Sequence, residues 1–203
     1  LRSDLGVDVS SHQGAIDWPA VAADGVDFAI VRAGNRGYTE GALYADERFS
    51  ENVDGAEAAG LATGVYFFSQ AVTPDEAREE ADFVLGLLAG RPLDLPVAFD
   101  HEPVSDETGR ANHLAGAELA ACARAFCERI EQAGYDTLVY GNKRDIARFG
   151  GDVPDGRPVW FAEYDVAVPT GQFDFVMWQY TSTGTVAGIS TRVDLNIRFD
   201  AAG

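Results

Sequence analysis

The chain has 203 residues, 46% of them hydrophobic, enough to bury a sizeable core and to fill one domain over residues 1–203. Acidic residues outnumber basic ones 33 to 15, a formal net charge of −18, and Lys143 is the only lysine. A surface this acidic repels nucleic acid and anionic membranes, and no apolar run approaches the length of a membrane span.

The opening Leu1-Arg2-Ser3-Asp4 shows no basic-then-apolar leader and reads as the start of a mature domain from which a signal peptide has been removed. Leu5 to Val9 is then a short strand, and Asp17 with Trp18-Pro19 opens a helix to about Asp24. Phe28 to Val31 is a second, buried strand. A helix from about Asp46 to Ala59 is closed by Gly60, and Thr63 to Ser69 forms a third strand. Thr73-Pro74-Asp75-Glu76 combines an N-cap, a first-turn proline and a capping glutamate, starting a helix that ends near Gly90. Pro96 to Glu102 is the fourth strand, with a polar loop after it. The longest helix runs from about His113 to Ala133, stopped by Gly134; Thr137 to Tyr140 is the fifth strand, and a short helix covers about Asp145 to Phe149.

After Gly150 the rhythm changes. Val159 to Ala162, Phe175 to Gln179 and Arg192 to Leu195 read as strands with no room for full helices between them. Five strand–helix units followed by bare strands predict an α/β parallel barrel completed by strands alone, with its chemistry at the carboxyl ends of the strands. Cys122 and Cys127 fall five apart in one helix, poor geometry for a bridge, and no partner stands at zinc-ligand spacing. They are expected to be free buried thiols, and no metal is expected.

The segment Pro96-Val97-Ala98-Phe99-Asp100-His101-Glu102 carries the clearest chemical signal. Alternation puts Ala98, Asp100 and Glu102 on one face and Val97, Phe99 and His101 on the other. Two carboxyls on a face otherwise packed are expensive unless paired or at work. Glycoside hydrolysis needs such a pair: a proton donor for the leaving oxygen and a carboxylate for the developing positive charge. Other strand ends carry Asp8, Asp194, Tyr66, Tyr140, Tyr164 and the run Trp178-Gln179-Tyr180. In a barrel these acids and aromatics converge on one mouth, and aromatic faces with hydrogen-bonding rims suit pyranose rings.

The segments that carry these residues resemble the glycoside hydrolase family 25 lysozymes, the Chalaropsis-type muramidases. The resemblance runs through Gly6-Val7-Asp8-Val9-Ser10-Ser11-His12-Gln13-Gly14, Ile16-Asp17-Trp18, Gly64-Val65-Tyr66, Asp100-His101-Glu102, Trp160-Phe161-Ala162-Glu163-Tyr164, Trp178-Gln179-Tyr180 and Val193-Asp194-Leu195-Asn196. It covers nearly the whole chain in the family's order. It implies a single-domain, TIM-like (β/α)5(β)3 barrel that needs no cofactor. It also implies cleavage of the β-1,4 bond between N-acetylmuramic acid and N-acetylglucosamine in peptidoglycan.

By position the resemblance makes Glu102 the acid and Asp8, Asp100 and Asp194 its supporting carboxylates, with Tyr66, Tyr140, Tyr164, Trp178 and Gln179 as substrate contacts. Glu102 is expected to retain its proton because three neighbouring carboxylates disfavour its ionised form. Asp100 either attacks directly or orients the substrate's own N-acetyl group, and both routes give net retention. His101 stands where the family often carries an apolar residue; parity points it outward as a packing residue. The expected setting is extracellular, as a monomer whose partners are glycan strands. Two rivals remain open: a non-catalytic wall- or chitin-binding barrel, and a chitinase-like N-acetylhexosaminidase.

Overall fold

In the computed structural model, which describes residues 3–150 and 153–199, five strand–helix units precede three bare strands. Strand β1 (Ser3–Val9) leads to α1 (Trp18–Ala23). Strand β2 (Phe28–Arg36) and its short hairpin partner β3 (Leu43–Ala45) lead to α2 (Phe49–Ala58). Then come β4 (Ala62–Phe68) with α3 (Pro74–Leu88), β5 (Val97–Asp100) with α4 (Gly116–Glu131), and β6 (Thr137–Asn142) with α5 (Lys143–Ala147). β7 (Val159–Ala162), β8 (Met177–Gly184) and β9 (Val193–Phe199) finish the order, giving one (β/α)5(β)3 domain.

The helix boundaries follow their caps. Asp17 accepts from the Ala20 amide at the start of α1, and the Thr73 hydroxyl accepts from the Glu76 amide at the start of α3. Gly60 (φ 82°) and Gly134 (φ 93°) take the left-handed conformation after α2 and α4. α4 starts at Gly116 rather than near His113, because the residues before it turn instead of coiling. α2 likewise starts three residues later than Asp46, whose carboxylate is used in the preceding turn.

Seven strands pair in parallel from β1 through β2, β4, β5, β6 and β7 to β8. β9 is antiparallel to both β8 and β1, and closes the barrel between them. The expected barrel, completed by strands alone, is thus parallel through seven strands and antiparallel at the last. Residues 163–176 are long enough to cross over from β7 to a parallel β8 without a helix, whereas residues 185–192 permit only a return in the opposite direction.

Phe28, Ile30, Ala98, Leu138, Trp160 and Met177 fill the barrel interior. Gly6 leaves room for the Phe28 ring, which a β-carbon at that position would meet at 2.2 Å. Val97 and Phe99 point the other way, into the layer between sheet and helices that includes Phe67, Leu119 and Phe126. Beside β7 and β8, where helices are missing, Phe173 and Phe175 from the crossover pack on Phe161 at ring distances of 5.0 and 5.4 Å. Cys122 and Cys127 are buried free thiols, pushed up to about 12 by burial.

Candidate active site

The parallel strands bring their carboxyl ends to one mouth, and the reversed β9 brings its beginning there. Asp194, second residue of β9, therefore lies directly beside Asp8 of β1 in the sheet register. Asp100 ends β5, and Glu102 follows two residues on. All four acids line a single cleft of about 510 Å³, floored by the Trp160 ring and walled by Tyr66 and Tyr140. Tyr140 and Tyr66 meet Trp160 edge-on at 4.7 and 6.1 Å. Tyr164 is 38% exposed and stands at the rim.

Gln179 holds this wall together. Its Oε1 accepts from the hydroxyls of Tyr140 (2.8 Å) and Tyr164 (2.5 Å), while its Nε2 donates to Asp8 Oδ2 at 2.8 Å. Asn196 Nδ2 donates to the same oxygen at 2.8 Å, and its Oδ1 accepts from the Trp160 indole. The amide of Gln179 is thus spent within the wall, orienting one carboxyl and two tyrosines.

Trp178 is a correction. It belongs to the outer face of β8, where its indole N–H donates to the Glu163 carbonyl and its ring packs against Tyr180 at 5.7 Å. Neighbours on a strand face opposite ways, so an inward Gln179 forces Trp178 outward. His101 points outward as parity requires, stacking on Phe99 at 5.8 Å with Nε2 3.1 Å from the Ala71 carbonyl. Burial first, then the Arg148 charge, pushes it down to about 4. The neutral ring therefore donates to Ala71 through Nε2 and accepts from Arg148 through Nδ1.

Burial dominates the electrostatics of the cleft. It raises Asp8 to about 8, with the Asp194 charge second, and it raises Asp194 as well. It raises Asp100 well above the carboxylate range, with Glu102 as the next cause. Glu102 rises to about 7, again through burial first and then Asp145. The acids form two hydrogen-bonded pairs, Asp8 with Asp194 and Asp100 with Glu102, each holding a proton near neutral pH. The predicted crowding by three carboxylates is thus secondary to desolvation, and the charge that raises Glu102 most, Asp145, is one the sequence did not single out. Buried Oδ1 of Asp100 accepts from no N–H or hydroxyl among the described residues.

Arg32 in the cleft and Asp145 in the hollow beside it escaped the sequence reading. Arg32 shares the inward parity of Phe28 and Ile30, and a lone charge on that buried face was the available signal. Its guanidinium binds Asp46 at 2.7 Å and the Ser11 hydroxyl at 3.2 Å, tying the loop after β1 to β2. Asp145 carried no such signal, because its carboxylate accepts from the Asn142 amide as an ordinary capping residue while also facing Glu102. Among the described residues no cluster of His, Cys, Asp and Glu is arranged to hold a metal ion.

A closed barrel whose strand-end cleft gathers carboxyl pairs and tyrosines defines a barrel glycosidase. The chain belongs to the glycosyl hydrolases of family 25, whose sequence profile matches residues 7–189. It is 30% identical over 191 residues to the autolytic lysozyme of Clostridium acetobutylicum, an alignment covering 94% of this chain and 54% of that one. Against lysozyme M1 of Streptomyces globisporus it is 30% identical over 203 residues, covering 94% and 66%. The chain thus spans between half and two thirds of these relatives' lengths. Among solved structures, the bacterial lysozyme from Streptomyces coelicolor superimposes with a TM-score of 0.79 at 26% identity, covering 98% of this chain and 93% of that one. The autolysin LytC from Streptococcus pneumoniae, solved with a synthetic peptidoglycan ligand, shares the fold with a TM-score of 0.85 at 24% identity, covering 98% and 47%.

Proposed function

We propose that the chain is an N-acetylmuramidase, cutting the β-1,4 bond between N-acetylmuramic acid and N-acetylglucosamine in peptidoglycan with net retention. The observation that carries this reading is the meeting of Asp8, Asp100, Glu102 and Asp194 in one aromatic-walled cleft. The relatives' names, lysozyme in both cases, support the substrate. In this reading the domain works outside the cell, as a monomer, on glycan strands.

Glu102 is the general acid and, later, the base. Held up at about 7 by burial, it shares the pair's proton with Asp100 in neutral medium, within reach of the glycosidic oxygen. Asp100 offers an acceptor oxygen that no protein amide or hydroxyl fills, and an acetamido N–H of the substrate suits it. Once that N–H donates to Asp100, the shared proton is driven onto Glu102, and the polarised acetamido carbonyl is positioned to attack the anomeric carbon. Asp8 and Asp194 face the developing positive charge, Asp8 being held by Gln179 and Asn196. Tyr66, Tyr140 and the rim Tyr164 supply surfaces for sugar rings.

Mass spectrometry of fragments released from purified peptidoglycan tests the bond: reducing muramic-acid ends are expected, and reducing glucosamine ends overturn the assignment. Glu102→Gln should lower kcat by about 10³-fold or more, since protonation of a poor leaving group is lost. In wild type, kcat/KM should decline as pH rises through about 7. A substrate lacking the acetyl group should turn over poorly; unimpaired turnover would exclude its participation.

A further inference from the structure

Beyond the cleft itself, one cation near Glu102 is unaccounted for. Among the described residues, Arg144 is the guanidinium with neither an ion pair nor a side-chain hydrogen bond, although acids outnumber basic residues 33 to 15. The other described arginines and Lys143 are engaged. Ion pairs hold Arg32, Arg36, Arg48, Arg78 and Arg91, and those of Arg110, Arg124, Arg129, Arg157 and Arg198 are as short. Lys143 binds Glu163 at 2.6 Å, Arg148 stands 3.8 Å from Asp145 and donates to backbone carbonyls, and Arg192 donates to the Thr183 carbonyl.

Arg144 is not remote from the chemistry. It lines both hollows that adjoin the cleft and share Glu102 with it. One, of about 800 Å³, runs between the loop at Pro103–Ala115 and the turn after β6; the other, of about 700 Å³, runs between that turn and Tyr164. The first hollow also holds Arg148 and His113, against Glu102 and Asp145 as its acids. Asp145 accepts from the Asn142 amide while it faces Glu102. In a molecule of net charge −18, two guanidiniums here stand against two acids, so this wall is far less negative than the chain as a whole.

We propose that Arg144 forms an anion-recognition subsite beside Glu102, binding a carboxylate carried on the muramyl side of the glycan. This inference rests on the muramidase reading and adds to it the substituent recognised. Muramic acid differs from glucosamine by its lactyl ether, which ends in a carboxyl group or in the peptide attached there. Either source presents a carboxylate to a guanidinium that lacks a partner, and an unpaired planar donor fork is suited to it. The same contact gives an acidic enzyme local attraction for an anionic polymer that its wider surface repels.

The test uses three soluble strand preparations: strands bearing peptides, strands stripped of peptide so that the lactyl carboxylate is free, and peptide-bearing strands with their carboxylates amidated. Wild type should favour the carboxylate-bearing strands over the amidated ones. Arg144→Gln should reduce that preference about fivefold, through KM rather than kcat, and Arg144→Lys should restore part of it. A loss confined to stripped strands assigns the lactyl carboxylate, and one confined to peptide-bearing strands assigns the peptide. Equal effects of Arg144→Gln on charged and amidated strands, or no effect, overturn the subsite. Calorimetric binding to Glu102→Gln, with and without Arg144→Gln, reads the same preference without turnover. If wild type cut none of the strands, the muramidase reading would fail, while this arm would still report on the carboxylate contact.

Discussion

A carboxyl group held at about 8, as Asp8 is, makes the folded state keep a proton that the unfolded chain releases near 3.8. Stability from such a group is complete below the unfolded value and is lost as pH rises towards the folded one. Glu102, Asp100 and Asp194 act in the same direction. His101 acts in the opposite one: held at about 4 against an ordinary 6.5, it loses stability as pH falls through that window. Four raised carboxyls outweigh the one histidine, so the melting temperature should fall as pH rises from about 5 to 8.5, and Asp8→Asn should flatten that decline. Asparagine can still accept from Gln179 and Asn196 through its carbonyl, so the change removes the charge and keeps the contacts. A wild-type profile that is flat from pH 5 to 8.5 in thermal melts would contradict the burial of these acids. Alternation along β5 made Asp100, Glu102 and His101 legible in the sequence. The outward turn of Trp178 follows from the same rule once Gln179 is known to face in, but an aromatic is equally at home on either side of a strand. Asp145 could not be read at all, because a capping acid looks the same whether or not a catalytic group faces it.

At the scale of elements, the acid's position depends on a network behind the barrel. Arg36, at the end of β2, donates to Glu80 of α3 at 2.8 Å, to Glu79 at 2.7 Å and to the carbonyls of Gly41 and Glu76. Glu80 accepts from the Ser69 hydroxyl at 2.6 Å and from the Gln70 amide at 3.3 Å, and Gln70 Nε2 reaches the Glu102 carbonyl at 2.8 Å. Burial drives Glu80 up to about 7, against the opposing pull of Ser69 and Arg36. Short bonds from a guanidinium and a hydroxyl match the ionised carboxylate, the form in which the pair is fully satisfied. Removing one partner leaves the other charge buried, so Glu80→Ala should cost about 3–5 kcal/mol in urea unfolding. The double variant Arg36→Met with Glu80→Leu should cost less than the two single changes summed. Additive losses would show that the two groups are not coupled. The five strand–helix units were legible because each carries its own period and caps. Two features were not: β3 is three residues long with no alternation to read, and the direction of β9 depends on the length of the loop before it rather than on its own residues.

The whole molecule combines a strongly negative exterior with a catalytic cleft that is itself acidic. Its exposed ion pairs each contribute no more than about 1 kcal/mol, and salt weakens them. Buried pairs such as Arg36–Glu80 are largely shielded from that screening. Against these losses stands the repulsion among acids left without a cation, since 33 carboxyl residues face only 15 basic ones. That repulsion acts over longer distances than a contact pair, and at low ionic strength the Debye length of roughly 30 Å spans most of the domain. The long-range term should therefore dominate the salt response. The melting temperature at pH 7 is expected to rise by several degrees between about 10 mM and about 0.5 M sodium chloride, most steeply at the low end, where the Debye length shrinks fastest. Sulfate would mix this effect with surface exclusion, so chloride is the informative salt. A melting temperature that stayed level or fell would mean that the fifteen cations, placed as they are, already balance the field around the fold.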